Sequence, residues 1–195
     1  MRTAEVTRNT AETQISLQLG IDGGVENRID TGCGFLNHML TLFCHHGRFG
    51  IAVTAKGDID VDYHHLAEDL GIVLGTAFAK ALGDKRGICR YGEAMLPMDE
   101  ALISVCLDIS GRAGYCANLS IPSQKVGGVD TELVDEFFTA LCRGMGLTLH
   151  ILQHRGSNSH HIIEGAFKAL ARALRKAVSF DPSIAGEIPS SKGAL

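Results

Sequence analysis

HHLAEDLGIVLGTAFAKAL, residues 64–82, and HHIIEGAFKALARALRKAV, residues 160–178, are two versions of one segment. Each opens with His-His-x-x-Glu and continues with apolar residues at helical spacing, so each reads as an amphipathic helix with a histidine-bearing start. In the second, Ile163, Phe167, Leu170, Leu174 and Val178 form an apolar stripe, with Lys168, Arg172, Arg175 and Lys176 outside it. Asn158 and Ser159 can cap its start, and Asp181-Pro182 stops it. The first is apolar over more of its circumference, through Leu66, Leu70, Val73, Leu74, Ala77, Phe78 and Leu82. A helix of that kind is buried on several sides, against a second subunit or against the other copy of the pattern.

The match extends upstream of both helices. QISLQLGIDG from Gln14 and LISVCLDISG from Leu102 both alternate apolar and polar residues and end at a glycine turn, as half-buried strands do. FLNHMLTLF (35–43) and LVDEFFTAL (133–141) both place apolar residues at helical spacing around one polar group, His38 in the first and Glu136 in the second. A further strand candidate lies between the helices of each half, at 51–55 and 147–152. The order is the same throughout, with about ten extra residues in the second half around Gly114 to Gly128. Three matches in register argue for a duplicated β-β-α-β-α-type unit. The expected fold class is α+β, internally duplicated, with a mostly antiparallel sheet and helices packed on one face. The expected organisation is a single domain over 1–195 made of two tandem similar halves, about 1–88 and 89–195.

Composition narrows the function classes. With 45% hydrophobic and 21% charged residues in a chain of 195, disorder, collagen and coiled coil are excluded. Eighteen Lys plus Arg against 22 Asp plus Glu give a net charge of -4, which offers no basic footprint for nucleic acid. No apolar run approaches membrane-spanning length, and the MRTAEVTRNTAET start has no apolar segment of the signal-peptide kind, so a cytoplasmic protein is expected. The six cysteines form no C-x-x-C, and most are flanked by apolar residues, as in Val105-Cys106-Leu107. They read as small buried hydrophobes in a reducing compartment. Histidine is the unusual component: of nine, six sit in the adjacent pairs His45-His46, His64-His65 and His160-His161.

On a helix, His64 and Glu68 lie on one face, as do His65 and Glu68, while adjacent residues point about 100° apart. A His-His pair therefore does not readily chelate one ion, but it can hand one imidazole to each of two sites. His160, His161 and Glu164 repeat the arrangement, and His38 and Glu136 complete a symmetric set of eight donors, four for each of two sites. Imidazole and carboxylate without thiolate favour Mn²⁺, Fe²⁺ or Zn²⁺, and room for more than four ligands tilts the choice to Mn²⁺. His45 and His46 close a helix, where a histidine cation can simply favour the dipole. His150 and His154 alternate in a strand with no partner motif and read as structural or surface residues.

The stretches GFLNHML, DYHHLAED, SGR, SHHIIEG and IPSSKG, in this order, resemble the imidazoleglycerol-phosphate dehydratase family of histidine biosynthesis, in its monofunctional form. The resemblance covers essentially the whole chain. It implies dehydration of imidazole glycerol phosphate to imidazole acetol phosphate with two Mn²⁺ ions per active site. One ion would take His38, His65, Glu68 and His160, the other His64, His161, Glu164 and Glu136, which stands where many members have histidine. The resemblance further implies an acid-base role for Glu12, phosphate binding by Arg90, Arg112, Ser190, Ser191 and Lys192, and a substrate contact at His46. It implies a large homo-oligomer, twenty-four subunits in the family, with sites between subunits. On the residues alone, a dinuclear metal-dependent phosphoester hydrolase and a non-catalytic metal-binding protein remain open alternatives.

Overall fold

The computed structural model describes residues 1–195. In chain order the elements are β1 (Thr3–Asn9), β2 (Thr13–Gly20), β3 (Arg28–Asp30), α1 (Gly34–Gly47), β4 (Gly50–Gly57), α2 (His64–Leu82), β5 (Tyr91–Met98), β6 (Ala101–Asp108), β7 (Gly114–Asn118), β8 (Lys125–Val126), β9 (Val129–Asp130), α3 (Leu133–Met145), β10 (Thr148–Arg155) and α4 (Ser159–Val178), followed by a 3₁₀ turn over Pro182–Ile184.

Period-two alternation sets the strands. In β2, Ile15, Leu17 and Leu19 are buried while Gln14, Ser16 and Gln18 face outward; in β6, Ile103, Val105 and Leu107 take the inner face. The first half forms a sheet of order β1-β2-β4-β3, and the second forms one of order β5-β6-β10-β7. The pairing repeats as well: two antiparallel joins, then a parallel edge, β3 on β4 and β7 on β10. The fold is thus α+β, with the strands divided between two four-stranded sheets and each half built as β-β-β-α-β-α. The third strand of each half is where the simpler expectation fell short. β3 has only three residues, too few to display alternation, and β7 occupies the start of the Gly114–Gly128 stretch. The true excess of the second half runs from Leu119 to Asp130 and contains the small β8–β9 ribbon.

The helices cover the inner faces of the sheets and pair crosswise between halves. α2 lies on β1 and β2 and against α3; α4 lies on β5 and β6 and against α1. The α2–α3 crossing is close because glycines line it. A Cβ at Gly71 would stand 2.5 Å from the Phe137 carbonyl oxygen, one at Gly75 2.4 Å from that of Leu141, and one at Gly144 2.6 Å from that of Ile72. The order of these contacts shows α2 and α3 running in the same direction. Phe137 also stacks on Phe167 of α4, with ring centroids 5.3 Å apart. Gly71 and Phe167 stand at the same distance beyond their His-His motifs, so both motifs lie at one end of the helix layer. The broad apolar face of α2 is accounted for within the chain, by its own sheet and the other half, with Leu66, Val73, Leu74 and Phe78 all fully buried.

Cys33, Cys44 and Cys142 are buried, and burial pushes the Cys44 and Cys142 thiols up to about 12. Cys106 and Cys116 are exposed, against the sequence reading. The flanking Val105 and Leu107 occupy the inner face, which sends Cys106 to the outer one. No helix is long and apolar enough to cross a membrane.

Candidate metal centre and phosphate cleft

The crossed helix pairing of α1 with α4 brings His38 onto the first turns of α4. His38 Nε2 and His160 Nε2 lie 3.3 and 3.1 Å from Glu164 Oε2, and the three donor atoms fall within 4.8 Å of one another. Donors bound at ~2.1 Å and at right angles are ~3 Å apart, so this spacing suits one face of a divalent-ion coordination shell, and two imidazoles with a carboxylate are a competent donor set. Glu164 is buried, and its second oxygen is held by Lys168 one turn further on. Burial alone would push the Glu164 carboxyl up; the Lys168 ammonium and the two imidazoles outweigh it and hold the group below its usual range. Asn158 caps α4, its Oδ1 accepting from the backbone N–H of His160 at 2.9 Å and of His161 at 3.3 Å. The cap fixes the motif at the helix start.

The grouping carried by the resemblance puts Glu164 on a different ion from His38 and His160; here the three stand together. His161, adjacent to His160, points away from them, as adjacent helical residues must. Its Nδ1 lies 2.7 Å from Glu100 Oε2, at the β5–β6 turn. In the first half, His65 Nδ1 lies 3.0 Å from Asp58 Oδ2, and its Nε2 lies 3.6 Å from Glu12 Oε1. These carboxylates raise the pKa of both imidazoles, Asp58 acting on His65 and Glu100 on His161. Glu136 occupies on α3 the place that His38 occupies on α1. No donor of Glu136, His64, His65, Glu68 or His161 joins the His38–His160–Glu164 cluster.

Glu12 sits exposed at the β1–β2 turn, and that turn is well held. Glu12 O accepts from the Asp58 backbone N–H at 3.1 Å, and Thr13 Oγ1 donates to the buried Asp69, which also receives Arg8 Nε at 2.7 Å. The turn carrying Glu12 is therefore strapped to the first turns of α2, where His64, His65 and Glu68 stand.

Arg90, Arg112, Ser190, Ser191 and Lys192 line one cleft of about 290 Å³, together with Tyr91 and the chain's last residues. The C-terminal segment folds back because Arg90 ties it down: Nη1 donates to the Pro189 carbonyl at 2.8 Å, while Nε and Nη2 donate to Asp108 at 2.7 and 3.1 Å. Two of the five guanidinium N–H groups remain free for an anion. His46, in the last turn of α1, lines a separate hollow with Arg172, Arg175, Lys176 and Ser179. Burial together with the Lys168 and Arg172 charges lowers its pKa.

Asp58, Asp69, Glu100 and Lys168 are the site neighbours that the sequence reading missed. Lys168 carried a usable signal, its spacing four residues from Glu164. Asp58 and Glu100 are brought in by turns and carried none, and Asp69, on α2 beside Glu68, carried none because its partners Arg8 and Thr13 come from strands distant in sequence.

The family model described as imidazoleglycerol-phosphate dehydratase matches residues 31–174. The chain is 53% identical over 195 residues to the imidazoleglycerol-phosphate dehydratase of Heliobacterium modesticaldum, covering 100% of both chains. It is 54% identical over 199 residues to that of Lactococcus lactis subsp. cremoris, covering 100% of this chain and 98% of the relative. The crystal structure of imidazoleglycerol-phosphate dehydratase from Staphylococcus aureus superposes with a TM-score of 0.83 at 42% identity, over 92% of this chain and 99% of that one. That from Pyrococcus furiosus, in complex with (S)-C348, superposes with a TM-score of 0.85 at 38% identity, over 97% of this chain and 100% of that one.

Proposed function

The chain belongs to the imidazoleglycerol-phosphate dehydratase family, a family of hydro-lyases, and from that premise we propose a reading of how its residues carry out a Mn²⁺-dependent dehydration in histidine biosynthesis. The substrate is imidazole glycerol phosphate and the product imidazole acetol phosphate. The hydroxyl leaves from the carbon next to the imidazole, a proton leaves from the following carbon, and the resulting enol becomes the ketone; one water is lost and the phosphate is retained. The observation that carries the metal reading is the convergence of His38, His160 and Glu164. The eight donors His38, His64, His65, Glu68, Glu136, His160, His161 and Glu164 hold two Mn²⁺ ions per active site. Bound there, Mn²⁺ supplies Lewis acidity toward the imidazole nitrogens, the ring being the only electron reservoir beside a carbon with no neighbouring carbonyl.

Glu12 carries the proton. Its exposed carboxylate stands beside the motif of α2, on a turn fixed by Asp69 and Asp58, as a group that must meet substrate without becoming a ligand requires. Arg90, Arg112, Ser190, Ser191 and Lys192 bind the phosphate with guanidinium, ammonium and hydroxyl donors. His46 contacts substrate from the end of α1.

One chain does not supply both ends of this site. The Arg90 backbone N–H donates to the carbonyl of Ala177, at the far end of α4 from His160. Seventeen residues of helix separate the two, about 26 Å. A substrate whose ring and phosphate are joined by a three-carbon chain does not span that length. Sites shared between copies of a large homo-oligomer resolve the mismatch, and the outer face of the second sheet, with Tyr91, Met95 and Leu152 exposed, offers apolar surface for assembly.

The test is to incubate the protein with imidazole glycerol phosphate and Mn²⁺ and to follow the enol-ketone absorbance alongside inorganic phosphate, with a chelator control. A ketone formed only with metal, with phosphate retained, supports the reading. Released phosphate would make the chain a hydrolase instead.

A further inference from the structure

The two halves solve the same orientation problem with carboxylates from different places. The second histidine of each motif, His65 in α2 and His161 in α4, has its Nδ1 against a carboxylate: Asp58 Oδ2 at 3.0 Å and Glu100 Oε2 at 2.7 Å. A carboxylate only accepts, so Nδ1 carries the proton of the neutral ring in both, and in that neutral form Nε2 keeps its lone pair. His38 and His160 instead turn Nε2 toward the Glu164 carboxylate, where without metal that nitrogen donates and on metal binding it gives up its proton.

Asp58 and Glu100 do not correspond within the duplication. Asp58 precedes α2 at the end of β4. Glu100 lies in the β5–β6 turn, and its counterpart in the first half is Glu12, in the β1–β2 turn. The duplicated pair of turn glutamates has divided its work. Glu12 is exposed and lies 3.6 Å from the Nε2 side of His65. Glu100 is anchored, with Oε1 accepting the backbone N–H groups of Ser157 at 3.1 Å and Asn158 at 2.8 Å while Oε2 takes His161. In the first half, Asp58 has taken over the task that Glu100 performs in the second.

We propose that Asp58 and Glu100 are positioning residues, which hold the Nδ1–H groups of His65 and His161 and so commit Nε2 of each to metal. This rests on the metal reading above. Donation of the second ring N–H to a carboxylate fixes both tautomer and ring orientation, and loss of such a partner costs about 10- to 100-fold in metal affinity.

The experiment is a Mn²⁺ titration followed by the electron paramagnetic resonance signal of free Mn²⁺, on the full-length protein and on D58A, D58N, E100A and E100Q, each checked for helix content. The alanine variants are expected to weaken Mn²⁺ binding about 10- to 100-fold at unchanged stoichiometry. The amide variants, whose carbonyl oxygen still accepts from Nδ1–H, are expected to stay nearer the parent. The Asp58 side chain bonds only to His65, so D58A is free of the backbone tether that E100A also removes. On chelator-treated protein, ¹⁵N shifts of labelled histidine are expected to place the proton on Nδ1 of His65 and His161, a readout that a purely structural role would not set. Alanine variants with parental affinity, or a proton on Nε2 of these rings, would overturn the proposal and leave the metal reading standing. Failure of the parent to bind Mn²⁺ would overturn both.

Discussion

Gly75→Ala tests the helix crossing that positions the α2 motif. The added Cβ would lie 2.4 Å from the Leu141 carbonyl oxygen and 2.9 Å from the Met145 backbone nitrogen, where ordinary contacts begin at 3.4 Å. The shortfall is about 1 Å, and both obstacles are backbone, so α2 and α3 must separate over the whole crossing. Overpacking of this kind costs typically 1–3 kcal/mol, with the upper end expected where no side chain can swing away. Alanine returns up to about 1 kcal/mol of helix propensity. The net is a loss of about 1–2 kcal/mol, which for a domain of this size lowers Tm by roughly 2–8 °C. Activity should fall as well, because a shift of about 1 Å at a reacting centre costs up to about 100-fold. Calorimetry at matched chain concentration reads the first effect and steady-state kinetics the second. Gly34→Ala is the control: its Cβ meets open space at the start of α1, so it should be neutral or slightly stabilising. Gly75→Ala as stable as the parent would refute the claim that backbone contact sets the spacing of the two helices.

Glu12→Gln should keep both metals, measured by elemental analysis, while kcat falls by about 10²- to 10⁴-fold; loss of metal instead would make Glu12 a ligand. Lys192→Ala should raise KM for the phosphorylated substrate about tenfold or more with metal content unchanged, the size of one charge-assisted hydrogen bond, and unchanged kinetics would remove Lys192 from the phosphate cleft. Asn158→Ala should cost about 1 kcal/mol in urea unfolding, since two backbone N–H groups of α4 lose their acceptor. Asp22 is held at about 2 by its hydrogen bond to Arg2, below its ordinary 3.8, so its contribution is present above pH 4 and is lost as pH falls from 3.8 toward 2. Asp22→Asn should therefore be less stable than the parent at pH 6, by up to about 1 kcal/mol given the partial exposure of the pair. The two should converge near pH 2; a gap that persists there would contradict the ion-pair account.

The fold was legible where the sequence is periodic and long. α2 and α4 begin at or next to the histidine pairs that the spacing indicated, and β2 and β6 follow the alternation. β3 escaped because three residues show no period, and the division into two sheets escaped because alternation tells which face a residue takes but not which strand it joins. The cysteine expectation failed instructively: apolar neighbours on a strand place the residue between them on the opposite face, so Cys106 is exposed because Val105 and Leu107 are buried. At the site, local motifs announced the histidines and Glu164, and the family resemblance singled out Arg90, Arg112, Ser190, Ser191 and Lys192, which share one cleft. Asp58 and Glu100 carry no local mark, because their partners lie across a turn or in another element and only the fold brings them together.

The crosswise pairing of helices also governs the order in which the chain can become secure during synthesis. α2 finds its tight partner only when α3 is made, and α1 finds its own only when α4 is complete, near the end of the chain. While the second half is still being translated, the first half has a finished sheet but leaves bare the Gly71–Gly75 groove and the apolar side of α1. Contacts of such long sequence separation close late and slowly, and exposed apolar surface in the interval favours aggregation. The duplication that places two His-His-x-x-Glu motifs at one end of the molecule thus also makes the nascent first half dependent on helices synthesised after it.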